Sequence, residues 1–317
     1  MKSKKALEMG FSWIFGLVVG AVILALAIYG VMQLVSTSQN EINTKTAQNF
    51  LNVLDPLQTT VQEGSGDSVQ LPVETRIYTS CENEGDFGNT LLEISEKNGL
   101  GEKWSKKSNA IRKKNAYLFA ENEIEGKKIY VFIFPFKMPF KTGDMIIAYT
   151  DTYCFVSPPN EIEKEIRGLI TSENQNIIIT SSKNSCSPES RTVCFSGGSC
   201  DIQVLCADSE CSQGTVSKEG KNLYFSDKLI YSAIFSSQKN YECNVQRLMK
   251  RLNYLSDIYV QKSQFIASRG CNTGLTPVIK ILSENAKKYE KLSDLPALQS
   301  LAGSIKQKNE MLSCHLF

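Results

Sequence analysis

From Phe11 to Val35 the chain carries no charged residue, reading FSWIFGLVVGAVILALAIYGVMQLV. A run of about 25 residues, rising about 1.5 Å per residue, is long enough for a helix to cross a bilayer. No other segment restricts the fold as much, because a backbone in hydrocarbon must satisfy its own hydrogen bonds, and a lone segment does so only as a helix. Lys2, Lys4 and Lys5 precede the run, and the first charge after it is Glu41, with Lys45 beyond. This asymmetry predicts a signal anchor with a cytoplasmic N-terminus and the bulk of the chain outside. Trp13 and Tyr29 are placed to sit near the two interfaces. Gly16 and Gly20 form a GxxxG spacing, with Ala21 and Ala25 one residue round, a pattern that lets two membrane helices approach closely. The competing reading is a cleaved signal peptide with Ala25-Leu26-Ala27 as the cleavage site, although the apolar run continues through Ile28, Val31, Leu34 and Val35. Both readings export the remainder.

Export decides how the cysteines are read. There are ten: Cys81, Cys154, Cys186, Cys194, Cys200, Cys206, Cys211, Cys243, Cys271 and Cys314. Five crowd into residues 186–211, with no CxxC and no histidine nearby, and the chain's one histidine is His315. Structural zinc sites pair ligands two to four residues apart, so the spacing favours disulfides over metal, as does an oxidising compartment. Five cysteines cannot all pair among themselves, so full oxidation requires a bridge from the cluster to another part of the chain. Such a bridge closes a longer loop, worth roughly 3–5 kcal/mol in restrained unfolded chain. Ten cysteines allow about 945 pairings. Cys243 with Cys314 is one expected pair, from an antiparallel arrangement of the C-terminal helices.

Outside the span, Phe50, Leu51, Leu54, Leu57 and Val61 recur at helical spacing, predicting a stalk helix over 36–62 that is bent or stopped near Pro56. EGSGDS at 63–68 reads as a boundary. Residues 69–182 alternate strand and helix signals, predicting a mixed α/β domain. TLLEISEKNGL reads as a short helix, and AYLFAENEIEGKKIYVFIFPF as a hairpin turning at Gly126. DMIIAYTDTYCFV reads as one strand. SPPNEIEKEIRGLI reads as a helix capped by Ser157 with Ile162, Ile166 and Ile170 on one face, and NIIIT as the strand closing a βαβ unit. Residues 183–237 read as a Cys-rich β region with a Gly197-Gly198 hairpin. Residues 238–317 read as a C-terminal helical unit opened by a helix of about 25 residues.

Other patterns are ordinary. Lys103, Lys106, Lys107, Arg112, Lys113 and Lys114 with Trp104 form a basic run that reads as a solvated flank. Glu161 and Glu165 share a helix face interspersed with Lys164 and Arg167. Cys314-His315 are sequence neighbours, with Cys314 expected in a bridge. IFPFKMPF at 133–140 reads as a strand leading into a buried loop. There is no GxGxxG, P-loop, GxSxG, HExxH or EF-hand loop. A net charge of +2 gives no nucleic-acid-binding surface. No catalytic, cofactor or metal constellation emerges.

The plan resembles type IV pilin-like proteins: a basic leader at 1–10, a long apolar helix running on into the periphery, then an exported α+β domain. Gly10-Phe11 resembles a prepilin junction, and Phe15 stands where that family has glutamate. LYFSDKLIYSAIFSS, YECNVQRLMKRL and RGCNTGL resemble segments of uncharacterised archaeal single-pass membrane proteins. The expectation is therefore an α+β protein with one transmembrane helix (11–35) and a disulfide-stapled exported part. Its expected partners are the membrane, copies of itself or surface-assembly partners, and its expected role is structural or partner-binding. The alternatives are a pilin-like filament subunit and an extracytoplasmic enzyme.

Overall fold

The computed structural model describes residues 11–60, 65–97, 103–170, 176–195 and 197–317. The basic leader and the Gly10 side of the prepilin-like junction lie outside them. Helix α1 (Phe11–Thr60) is a single element of 50 residues, about 75 Å long at the standard rise. Pro56 does not stop it: the helix runs on to Thr60. Two environments share this rod. Trp13–Leu34 has a mean hydropathy of 2.6 and is covered nowhere by the rest of the protein, which distinguishes it from the core helix of a globular domain. Gly16 and Gly20 lie on that bare segment with open space around their Cα atoms. Further along, Asn43, Ala47, Phe50 and Leu51 are buried. This docked stripe starts earlier than the predicted one, and the side chains of Leu54, Leu57 and Val61 lie outside the described set.

The stripe packs on the first of two six-stranded sheets, of order β3-β2-β1-β5-β6-β4. Its strands are β1 (Ser65–Glu82), β2 (Asn89–Glu96), β3 (Ile111–Lys113), β4 (Tyr117–Phe119), β5 (Glu123–Lys137) and β6 (Lys141–Tyr149). Alternation along β5 explains its unbroken apolar run. Ile129, Val131 and Ile133 face the α1 layer, while Tyr130, Phe132 and Phe134 face the main core. A strand buried on both faces cannot alternate polar and apolar. The α1 layer closes with Leu92 and Ile94 of β2, each worth about 1.5–3 kcal/mol when fully buried.

Of the segment expected as a helix at TLLEISEKNGL, residues 90–96 belong to strand β2, antiparallel to β1 from Thr75↔Glu96 to Glu82↔Asn89, and the NGL end lies outside the described residues. Its helix formers are overridden by a period of two: Thr90, Leu92, Ile94 and Glu96 are all buried. The hairpin expected at Gly126 is also corrected. Gly126 lies inside β5 opposite Thr75, where four residues of β1 around Pro72 bulge out of register. Proline has no N–H to give a ladder, so a bulge suits it. β5 turns instead into β6, through the buried Met138 and Phe140, and β4 lies parallel to β6 at the sheet edge.

That edge is covered by side chains. The carbonyl oxygens of Ala116, Leu118 and Ala120 accept from Thr90 Oγ1 (2.7 Å), Asn244 Nδ2 (2.9 Å) and Asn240 Nδ2 (2.9 Å). Two asparagines one helical turn apart thus supply the donors that a further strand would have supplied.

The second sheet has the order β12-β11-β10-β9-β7-β8. It contains β7 (Tyr153–Val156), β8 (Ile177–Thr180), β9 (Arg191–Cys194), β10 (Ile202–Cys206), β11 (Gln213–Lys218) and β12 (Lys221–Ser226). β7, helix α2 (Asn160–Leu169) and β8 form the predicted βαβ unit, with β7 and β8 parallel. Ile162 and Ile166 are buried on the predicted face. Ser157 is not the cap, however; Pro159 occupies that position, and Ser157 Oγ donates to Ser181 O at 3.1 Å. DMIIAYTDTYCFV is two strands in different sheets, because the chain turns at Thr150–Thr152. Strands from both sides of residue 183 share this second sheet. β9 and β10 run parallel, so Gly197-Gly198 is a loop with positive φ and not a hairpin turn.

Four helices complete the fold. α3 (Leu229–Phe235), read from sequence as part of a β region, is buried at every residue. All-round burial erases the polar face that marks a helix. α4 (Gln238–Ala267), α5 (Thr276–Lys287) and α6 (Leu295–Glu310) are the predicted C-terminal unit, and Ser237 caps α4 by accepting from Asn240 N.

All ten cysteines pair, as Cys81–Cys243, Cys154–Cys186, Cys194–Cys200, Cys206–Cys211 and Cys271–Cys314. The bridge that leaves the crowded segment is Cys154–Cys186. The expected Cys243–Cys314 pair is corrected: Cys243 lies near the start of α4 and meets the end of β1, while the chain end meets Cys271 just past the end of α4.

Candidate functional site

The docked end of α1 is held by polar contacts as well as by its stripe. Asn43 Nδ2 donates to Ser105 Oγ (2.8 Å) and Lys106 O (3.1 Å), and Thr46 Oγ1 donates to Glu96 Oε1 (2.9 Å). These bonds fix the azimuth of the helix, which an apolar stripe alone leaves free to slide. One continuous helix therefore carries both the bare span and the docked stripe. An N-terminal apolar helix and five disulfides mark a membrane-anchored or exported protein.

Part of the basic run beside this dock is engaged by its own neighbours, and Lys103, Lys106 and Lys114 are exposed. The Arg76 guanidinium lies 4.0 Å from the Trp104 ring centroid, Lys107 Nζ lies 3.5 Å from that of Tyr78, and Arg112 pairs with Glu82. Glu161 and Glu165 do not act together. Glu161 pairs with Lys164 at 2.8 Å, and Glu165 accepts from Lys228 and from Tyr231 Oη. Cys314 is bridged, so no Cys–His couple forms.

Among the described residues an ionic cluster, sheltered at Lys218 and Glu121 and open at Arg191 and Asp151, joins the two sheets. Glu121 Oε1 sits 3.0 Å from Arg191 Nη1 and 3.4 Å from Lys218 Nζ, and Arg191 Nε lies 3.0 Å from Asp151 Oδ2. Burial pulls the Lys218 ammonium below its ordinary pKa, and the Glu121 carboxylate opposes that shift. A lysine perturbed in this way is the usual signature of a reactive group. Here its three protons are spoken for, by Glu121, by Ile234 O and by Ser236 O at the end of α3. Lys218 is a tie between layers, with no donor left for a ligand.

Arg247 is a second buried cation. It is fully buried and makes no salt bridge among the described residues; Nε donates to Phe87 O (2.9 Å), and Nη1 donates to Thr90 Oγ1 (3.0 Å) and Asn244 Oδ1 (2.7 Å). Burial lowers its pKa to about 10, which leaves it charged at neutral pH. Its role is to hold the β1–β2 turn against α4. Gly88 makes the approach feasible: it has φ +60, and a Cβ there would stand 2.2 Å from Glu82 O and 3.0 Å from Arg247 Nε.

Beside that turn opens a cleft of about 850 Å³, between residues 83–87, one face of α4 and the segment following α5. Its floor is rigid. Cys81–Cys243 ties the adjoining end of β1 to α4, and Lys250 Nζ donates to Asn83 O (2.6 Å) and Gly85 O (3.3 Å). Asn83 Nδ2 donates to Gln246 Oε1 at 2.8 Å, and Asn253 Nδ2 donates to Ser283 O at 3.0 Å. Phe87 meets Tyr254 edge to face, with centroids 5.5 Å apart. Tyr289 closes the far wall; burial raises its phenol pKa, and Asp294 and Glu242 add to the effect. Apart from the two cysteines, none of these residues stood out in the sequence. They come from three separated segments and share no motif, and an outward-facing tyrosine on an amphipathic helix is an unremarkable sight.

No family model, curated protein or solved structure matches the chain.

Proposed function

We propose that the chain is a bitopic membrane protein that displays a disulfide-stapled extracytoplasmic domain at the cell surface, in a structural or partner-binding role and not as a catalyst. The observation that carries this reading is the division of α1: a bare, largely apolar stretch of 22 residues, and further along the same helix a stripe docked from Asn43 by Thr46, Phe50 and Leu51. A cleaved signal peptide has no need of rigid continuity with the domain it exports, whereas an anchor gains a defined stand-off and orientation from it. The saturation of Lys218 and the pairing of all ten cysteines support a non-catalytic role, since both take reactive groups out of use. Alkaline carbonate extraction of native membranes tests the anchor. The full-length chain is expected in the pellet; release into the supernatant with a new N-terminus after Ala27 overturns it.

A second reading is a pilin-like subunit of a surface filament. It is favoured by the same helix: a bare apolar half and a half laid on a sheet face form a unit whose exposed halves can bundle with copies of themselves. The mature N-terminus separates the two readings, because cleavage after Gly10 supports a filament subunit and an intact leader supports a simple anchor.

A further inference from the structure

The cleft beside the β1–β2 turn has a composition that selects one kind of ligand. Its charged groups cancel: two acids, Asp86 and Glu290, and two lysines, Lys250 and Lys287, line it. A site built for an anion or a cation carries an excess of the opposite sign, and this one carries none. What remains is a set of planar amides and an aromatic face. Gln246 and Asn253 each spend one side of the amide on the protein and keep the other: among the described residues Gln246 Nε2 and Asn253 Oδ1 have no protein partner. Asn83 Oδ1 also lacks a partner but is buried, so Asn83 serves to hold Gln246. Amides in that state offer donors and acceptors side by side, as adjacent hydroxyl groups require. Tyr254 is 55% exposed and meets Phe87 edge to face, so part of its ring stays open for stacking against C–H bonds.

The floor is also set before any ligand arrives. The disulfide, the two Lys250 bonds and the Arg247 bond to Phe87 O fix the turn to α4, so little ordering entropy remains to be lost on binding. The volume lies within the span of small-molecule sites and suits two or three pyranose rings better than one.

We propose that this cleft binds a neutral oligosaccharide, with Tyr254 as the stacking platform and Gln246 and Asn253 as the hydroxyl readers. The proposal goes beyond the anchoring role and stands apart from it: a protein that leaves the membrane in carbonate but binds sugar sinks the one and keeps the other.

The test uses the full chain in phospholipid nanodiscs, which avoids sugar-headed detergents. Cellotriose, chitotriose, mannotriose and maltotriose are titrated separately by saturation-transfer NMR, with a sulfated heparin disaccharide alongside. At least one neutral trisaccharide is expected to bind with a Kd between about 10 μM and 1 mM, in the weak range typical of few contacts. Tyr254→Ala is expected to weaken it at least tenfold, and Tyr254→Phe to retain it. Leu205→Ala, at an exposed position on β10 outside the cleft, is expected to leave it unchanged. Tyr254 is exposed enough that its removal leaves the fold intact, which near-ultraviolet circular dichroism checks. No binding by any neutral trisaccharide at about 10 mM overturns the proposal. So does binding that survives Tyr254→Ala, or binding by the sulfated disaccharide alone.

Discussion

Removing the Cys81–Cys243 bridge by a double change to serine gives the sharpest test of how this fold is stabilised. The bridge spans 162 residues and ties the end of the first sheet's long strand to α4. In the chain-entropy account, closing a loop of that length restrains the unfolded state by about 5 kcal/mol, whereas the five-residue Cys206–Cys211 loop contributes about 2 kcal/mol. Both bridge cysteines are half-buried, so serine is accommodated with little desolvation. The contacts flanking the bridge survive: Lys250 still reaches Asn83 O, and Asn83 still reaches Gln246. The loss is therefore expected in the free energy and not in the fold. For a protein of this size about 5 kcal/mol corresponds to roughly 10–20 °C in Tm. Urea titration of the full chain in nanodiscs, followed by near-ultraviolet circular dichroism, measures it against the Cys206→Ser/Cys211→Ser variant. A larger loss from the short loop than from the long one would refute the entropic reasoning and assign the stabilisation to local packing.

Three further outcomes follow from other contacts. Phe50→Ala empties a buried site between α1 and the first sheet and is expected to cost about 3–5 kcal/mol locally, read as faster hydrogen exchange over residues 43–52 with β9–β12 unaffected. Glu121→Gln leaves Lys218 buried without its counter-ion and is expected to destabilise by roughly 3 kcal/mol; a loss below about 1 kcal/mol would mean that water reaches the ammonium. Asp201 accepts from the Thr192 backbone N–H and hydroxyl, both at 2.8 Å, and the first-named bond contributes most to holding its carboxyl below the ordinary value. A depressed folded pKa gives stability that is present above the unfolded value of about 3.9 and is lost as the pH falls through the folded one. Asp201→Asn should therefore flatten the stability profile below about pH 4, and an unchanged acid limb would contradict the assignment.

The parts of this fold visible in the sequence are those whose physics is local. An uncharged run of membrane length, Ile162 and Ile166 at helical spacing between two strands, and the long apolar stripe of α4 each declare themselves within one element. The misreadings fall where a distant partner decides. TLLEISEK has the composition of a helix, and only its pairing with β1 buries every second residue. β4 is three residues long and survives as an edge because Asn240 and Asn244, more than a hundred positions away, satisfy its carbonyls. Parity required a bridge out of the crowded cysteine segment, but the choice of Cys154 depends on the β7–β9 neighbourhood, which no spacing rule contains. The cleft is the extreme case, since its amides and its tyrosine acquire meaning only through the tertiary packing that gathers them.

The central claim is that one helix both spans the membrane and carries the globular part on its outer side. A membrane-impermeant amine-reactive biotin ester, applied to right-side-out and to inverted vesicles of the native membrane, tests it directly. Lys164 and Lys306 are well exposed, with 73% and 63% of their side chains accessible, and they lie in parts of the chain far apart in sequence. The account predicts that both are labelled in right-side-out vesicles and protected in inverted ones. Labelling of both lysines only in inverted vesicles would place the domain in the cytoplasm and contradict it.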